Sequence, residues 1–363
     1  MKITKQQRKQ ITQIFKEVYA TQPAYNDYDI YLLPKFNENE EITQLTIEKI
    51  YGRMQHTVEE IKYSRTYQIT PPLPVEETDI IQFSILDKEG NRYRFSSHLS
   101  YVARRKMFTI NVRKISGSPK NVDVIPDVIE MSLSILAEGG LTLIGGRYGH
   151  GKTTFAYFLL RKWIERYPNR SFIITMEDPI EGTLPAPAKQ MEMPAEYWVG
   201  NLKAVMREKP DIVFIGEILT PQMAEVLMQY ASTGMSVVAT IHASSTGHIF
   251  SRLKSLLQAE GNINPSRTIA SAITGTIYVE FPPLYTETAK QLYEVVNWRK
   301  IYSPSVLERQ IEENIIENIY SEMNTLKQQY FYPLWHSARV RGYKELSQEI
   351  EKTLIESSRN RRR

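Results

Sequence analysis

The sequence predicts an α/β protein: a mostly parallel sheet covered by helices, preceded by a smaller strand-rich region. Three observations carry that prediction. From Leu141 onward, continuous Val/Ile/Leu runs alternate with helical stretches, the pattern of strands buried on both faces by crossover helices. Between the first run and the first helical stretch, Gly146, Gly151, Lys152 and Thr153 fit G-x-x-x-x-G-K-[ST], a phosphate-binding loop in its proper strand-to-helix context. Upstream, three short segments rich in β formers precede a Ser/Gly/Pro stretch.

Composition sets bounds. The 363 residues suffice for two domains and a small third, and 42% apolar with 24% charged residues is ordinary for a globular protein. Without cysteine there is no disulfide framework and no thiolate metal site, which suits a reducing compartment. The polar, basic start from Met1 to Gln10 predicts no secretory signal, and no apolar run reaches membrane-spanning length. A net charge of +4 permits contact with anionic partners without demanding it.

Taken in order, residues 1–115 form the first domain. Ile11, Ile14, Phe15 and Val18 predict a helix over Gln6–Tyr19. Asp29–Leu33 reads as a strand ending at Pro34, and Thr43–Tyr51 with Val58–Ile61 as a helix. Pro71-Pro72-Leu73-Pro74 reads as a rigid turn. Strands follow at Ile80–Leu86, Asn91–Phe95 and Met107–Val112, the first two joined by a hairpin at Lys88-Glu89-Gly90-Asn91. Arg92, Arg94, Arg104, Arg105, Lys106 and Arg113 crowd this sheet, as a solvated basic face or as a source of phosphate contacts. Residues 116–130 have linker composition. Residues 131–285 form the nucleotide domain, with strands at Leu141–Ile144, Ser171–Met176, Ile212–Gly216, Ser236–Ile241 and Thr276–Val279. Helices near 152–166, 197–208, 221–232, 247–258 and 266–274 lie between them. Residues 286–363 read as a mostly helical extension, with one apolar run at Leu292–Val296. A long helical tract there carries Ile311, Ile315, Ile316 and Ile319 on one stripe, and Arg359–Arg363 form a basic tail.

The phosphate loop dictates the chemistry. Glycines at 146, 149 and 151 let backbone N–H groups from residues 146–154, including those of His150, Lys152, Thr153 and Thr154, wrap a polyphosphate. The helix that follows presents its positive end to the same anion. Lys152 would reach the terminal phosphates, and Thr153 would offer its hydroxyl to Mg²⁺. Hydrolysis also needs carboxylates for metal and water, and cations for the developing charge. Three strand ends supply candidates: Glu177 and Asp178 before Pro179, Glu217 after Ile212–Gly216, and His242 after Thr240-Ile241. Strand ends are where such sheets bind ligands.

In order and spacing, Gly146–Thr153, Glu177-Asp178-Pro179-Ile180-Glu181, Pro210-Asp211 through Gly216-Glu217, and Thr240-Ile241-His242 resemble the Walker A, Asp box, Walker B and His box of the type II/type IV secretion ATPase superfamily. The resemblance covers residues 79–282. It implies a PAS-like N-terminal α+β domain, a RecA-like ATPase domain with a C-terminal helical extension, ATP and Mg²⁺ as cofactors, and a hexameric ring. It further implies a cytoplasmic motor peripheral to the inner membrane, partnered by an inner-membrane platform or cytoplasmic components of a secretion, conjugation or type IV pilus machine. Carried over by position, Glu177 and Glu217 share water activation and metal ordering, with either able to take the proton, and Thr153, Asp178 and Glu217 form the metal set. His242 senses the γ-phosphate. Arg94 and Arg113 contact phosphate, with Arg104 and Arg105 as alternatives, and Arg207 precedes the Walker B strand as in relatives.

The sequence departs from the family where Ile218-Leu219-Thr220 replaces Met-Arg-Asp, and where Arg147-Tyr148-Gly149-His150 fills the loop interior in place of Pro-Thr-Gly-Ser. The tetracysteine zinc module of some assembly ATPases is excluded by composition. Two other readings stay open: a DNA-translocating ATPase, for which the residues show no basic aromatic track and no specific nucleic acid is expected, and a nucleotide-binding scaffold that hydrolyses weakly.

Overall fold

The computed structural model describes residues 4–21, 25, 27–54, 57–74, 80–86, 92–102, 104–115, 122–193, 197–282, 290–320 and 329–360. The chain divides into two units, Met1–Gly117 and Ser118–Arg363. The hairpin expected at 88–91, residues 116–121 of the expected linker and the last three tail residues lie outside the described set.

In the first unit, helix α1 (Lys5–Thr21) buries Ile11, Ile14, Phe15 and Val18, the i, i+3, i+4, i+7 stripe its sequence predicts. Strands β1 (Asp27–Phe36), β2 (Glu41–Met54), β3 (Thr57–Ile61), β4 (Thr66–Pro74), β5 (Ile80–Leu86), β6 (Arg92–Val102) and β7 (Arg105–Ile115) follow. They pair in the order β3-β2-β1-β7-β6-β5, with β4 also on β2, and every pairing is antiparallel.

Two expectations fail here for physical reasons. Residues 43–51 and 58–61 are strand, not helix. Bulges shift the β1–β2 register at Tyr31/Leu32 and Lys35/Phe36, so the buried residues Ile42, Leu45, Ile47 and Ile50 fall at spacings of three, two and three. An extra residue at a bulge makes a strand's stripe resemble a helix's. The proline cluster is likewise strand rather than turn. Among the described residues β4 pairs only with β2, and such an edge tolerates residues that lack an N–H.

In the second unit, helix α2 (Pro126–Ala137) starts inside the stretch expected to be linker; Pro126 at the first helical position needs no N–H partner there. Next come β8 (Gly140–Gly146), α3 (Lys152–Arg166), β9 (Ile173–Glu177), β10 (Lys189–Glu192), α4 (Trp198–Arg207), β11 (Ile212–Ile215) and α5 (Pro221–Ala231). Then follow β12 (Ser236–His242), α6 (Thr246–Ala259), α7 (Pro265–Ala272), β13 (Ile273–Glu280) and β14 (Leu292–Asn297). After α8 (Trp298–Ile301) and α9 (Pro304–Glu312), β15 (Phe331–Tyr332), α10 (Leu334–Val340) and α11 (Lys344–Asn360) end the chain.

The second sheet has the order β10-β9-β11-β12-β8-β13-β14-β15. Its strands are parallel from β10 through β13, and β14 and β15 join antiparallel. Alternate residues serve opposite cores. Leu141, Leu143, Val213 and Ile215 pack with α4, α5, α6 and α7, while Ile144, Ile212 and Phe214 pack with α2 and α3. The segment expected to be a mostly helical extension therefore widens the sheet by two strands. Its isoleucine stripe is not one helix either: α9 stops at Glu312, Asn314 takes φ 53°, and a 3₁₀ turn spans Ile316–Tyr320. Left-handed backbone at an asparagine ends a helix.

Candidate nucleotide site

Strand β8 stops at Gly146, where a β-carbon would stand 2.5 Å from the Val279 carbonyl oxygen. The loop turns through Gly149 at φ 75° and Gly151 at φ 82°, conformations glycine adopts without strain, and α3 begins at Lys152. His150 is half-buried, its Nδ1 accepting from the Phe281 N–H at 3.3 Å; burial, then Arg147 and Lys152, push its pKa below the usual value. Thr153 is half-buried and Thr154 exposed on the first turn of α3.

Lys152 is 7% exposed. Its Nζ donates to the Arg147 carbonyl at 3.1 Å and to His242 Nδ1 at 3.1 Å. An ammonium can only donate, so His242 Nδ1 accepts and the ring proton sits on Nε2, 3.1 Å from Glu217 Oε1. The ring of Tyr148, itself 85% exposed, stacks over His242 at 6.1 Å. Burial lowers the Lys152 pKa, partly offset by the charges of Glu217 and Glu181. Three boxes of the sequence thus meet at one ammonium.

Glu177 ends β9, as expected of a strand-end carboxylate, but its side chain is turned into the core. It is 1% exposed, accepting from the Tyr157 hydroxyl at 2.5 Å, the Thr175 hydroxyl at 2.6 Å and Gln190 Nε2 at 3.4 Å. The Glu181 backbone N–H also donates to it. Four donors fill the lone-pair sites of a carboxylate, leaving no face for a water. Burial raises its pKa despite these bonds. The carboxyl that shares the field of Lys152 is Glu181, which stands exposed with Asp178 on the loop after β9. Glu181 was legible within the Asp box but received no role, because strand polarity alone does not say which of two acids points inward.

Arg207 is exposed in the last turn of α4, just before β11 starts. It therefore lies at the amino edge of the sheet, opposite Glu217. Within this chain the structure does not bring it to the phosphate loop. Arg94 and Arg113 belong to the first unit, directly opposite each other on β6 and β7. Two participants were missed: Gln190, on a four-residue strand flanked by prolines, and Tyr157, whose place on α3 reads as core.

Residues 101–280 match the family model described as type II/IV secretion system protein. The competence protein ComGA of Halalkalibacterium halodurans is 41% identical over 118 residues, 31% of this chain and 33% of that protein. The type II secretion system protein E of Pseudomonas aeruginosa is 30% identical over 185 residues, 50% of this chain and 31% of that protein. These matches thus span about a third of the relatives' length. Among solved structures, the ATPase DotB of Legionella pneumophila superposes with a TM-score of 0.67 at 18% identity, covering 95% of this chain and 96% of that one. The pilus retraction motor PilT with bound ADP gives 0.58 at 20% identity, covering 91% and 96%. At such identities the likeness is one of fold: a mixed α/β architecture shared with these ATPases. No described helix is long and apolar enough to cross a membrane.

Proposed function

We propose that this chain, whose residues 101–280 belong to the type II/IV secretion system protein family, is an ATP-hydrolysing motor subunit. The observation that carries the reading is the convergence of Lys152, His242 and Glu217 at the mouth of a phosphate loop. The ADP in PilT supports an adenine nucleotide as the ligand. In this reading the triphosphate lies on the N–H groups of the loop and at the start of α3. Lys152 exchanges the Arg147 carbonyl and His242 for phosphate oxygens, neutralising charge as it develops. Thr153, Glu217 and Asp178 are the residues that would hold a magnesium ion, which would supply further neutralisation of the phosphate charge when bound. Of the carboxylates that share the field of Lys152, Glu217 is assigned the orientation of the attacking water. His242, released by Lys152, can turn its Nε2–H from Glu217 toward the terminal phosphate.

The subunits form a ring of six, and the ring drives a secretion, conjugation or type IV pilus machine at the cytoplasmic side of the inner membrane. The boxes named above and the family membership of residues 101–280 support this assignment. The test is steady-state phosphate release by the purified chain, with and without single-stranded DNA. Wild type should turn over ATP regardless of DNA, and Glu217→Gln should lose about a hundredfold in kcat. Turnover that requires DNA, or full activity in Glu217→Gln, overturns the reading.

A further inference from the structure

We propose that Gln190 is a positioning residue of the nucleotide site, the hub that fixes the loop carrying Asp178 and Glu181 against the phosphate-loop helix. This inference rests on the ATPase reading above and deepens it. The Gln190 side chain makes four contacts. Its Nε2 donates to the Tyr157 hydroxyl at 3.0 Å, to Glu177 Oε1 at 3.4 Å and to the Gly182 carbonyl at 3.1 Å, and its Oε1 accepts from the Leu184 N–H at 2.8 Å.

Each contact reaches a different part of the site. Tyr157 lies on α3 five residues beyond Lys152, and its hydroxyl accepts from the Gly182 N–H while donating to Glu177. Glu177 in turn takes the Glu181 N–H. The loop is pinned further where Arg161 on α3 donates to the Thr183 carbonyl at 2.8 Å. Ile180 N–H donates to Glu192 on β10 at 3.2 Å. Glu181 and Gly182 are thus locked, through one amide and its immediate partners, to the helix whose first residue is Lys152.

Such a hub acts on geometry. Its loss should misplace Glu181 by releasing the Gly182–Thr183 peptide, whose carbonyl it holds, while the glycines and Lys152 that bind phosphate stay where they are. Glu181 shares the field of Lys152, and a displacement of about 1 Å at such a site can cost up to about a hundredfold in rate, whereas affinity depends on the untouched loop. The hub differs from ordinary core packing in this split.

The experiment measures ATP turnover and equilibrium binding of a fluorescent ATP analogue for wild type, Gln190→Met, Gln190→Glu and the swapped pair Gln190→Glu with Glu177→Gln. Lys152→Ala serves as control, and hydrogen exchange is followed at the Glu181 and Leu184 amides. Gln190→Met, similar in shape but without the amide, should drop kcat about tenfold or more with KM and analogue affinity within twofold, and exchange at both amides should speed up. Gln190→Glu should be no better, since it keeps the acceptor for Leu184 and loses the donors. The swapped pair restores a donor opposite an acceptor at position 177 but still sets a carboxylate against the Gly182 carbonyl, so its kcat should stay well below that of wild type; full recovery of kcat would overturn the hub. Should Gln190→Met not fold, Tyr157→Phe removes one hydroxyl from the same hub and should lower kcat with unchanged affinity.

Full kcat in Gln190→Met, or accelerated exchange without loss of kcat, overturns the inference while the ATPase reading stands. So does a fall in which KM and affinity deteriorate together. A wild type with no turnover that Lys152→Ala can remove overturns both.

Discussion

At the scale of single residues, the site sets function against stability. Lys152 is buried, and burial holds its pKa below the ordinary 10.5. Such a lysine binds fewer protons folded than unfolded near its pKa, so its contribution to stability is present above about 10.5 and lost as pH falls through the depressed value. At neutral pH the charged, desolvated ammonium is therefore a cost to the native state. Among the described residues it is met by the Arg147 carbonyl and His242, with Glu217 and Glu181 as more distant support. Replacing it by the apolar, similarly shaped methionine should keep or raise the melting temperature at pH 7, with any gain shrinking toward alkaline pH, while turnover falls at least about a hundredfold. Calorimetry beside the phosphate assay checks both halves; a marked loss of stability at pH 7 would show that the ammonium serves as a structural strut instead. The loop itself allows little variation: a β-carbon at Gly151 would meet Gln291 Nε2 at 2.2 Å on a backbone already at φ 82°.

At the scale of elements, the site is braced from behind. Glu294 on β14 is 2% exposed. It accepts from the Thr246 hydroxyl at the start of α6 at 2.5 Å, from the Tyr320 hydroxyl at 2.9 Å and from the Leu334 N–H at 3.4 Å. One carboxylate therefore joins β14 to the helix after the His242 strand, to the 3₁₀ turn and to α10. Glu294→Ala strands three buried donors, each costly to leave unmade, and should lower unfolding free energy by about 3 kcal/mol in urea titration. A change below about 1 kcal/mol would mean that other bonds replace it. The same element shows what periodicity could and could not reveal. Strands such as β8, with every residue buried, announce themselves as apolar runs, and so did the helices between them. β2 did not, because its bulges mimic helical spacing. β10 did not either, because only four residues, Lys189–Glu192, none of them fully buried, form an edge that has no run to see. In the structure Lys152 opens α3, Glu217 follows β11 and His242 ends β12, the positions at which motif spacing put them. It could not show that Glu177 turns inward, since the side chains that hold it, Tyr157 and Gln190, arrive from other elements.

At the scale of the whole molecule, each unit has a core of its own. One cluster uses only residues from Ile11 to Val112, and the others only residues beyond Val122. The first unit sets two arginines face to face on neighbouring strands. Arg94 stands directly opposite Arg113 on β6 and β7, and Arg113 opposite Asp27 on β1, whose carboxylate lies 3.6 Å from it. Like charges facing each other across strands are destabilising, although Arg113 also has the Asp27 carboxylate beside it, and the resemblance implies phosphate contacts for both arginines. We therefore expect Arg94→Ala and Arg113→Ala to leave the melting temperature unchanged or raised while each lowers kcat about tenfold, the scale of one charge-assisted contact to a transferring phosphate. A fragment of residues 118–363 should fold, bind nucleotide through its intact loop and hydrolyse no faster than these variants. If the fragment matches the full chain in kcat, the arginines serve only the first unit's surface. If the single variants lose stability instead of rate, their pairing with Asp27 is structural and the contact with nucleotide must come from elsewhere.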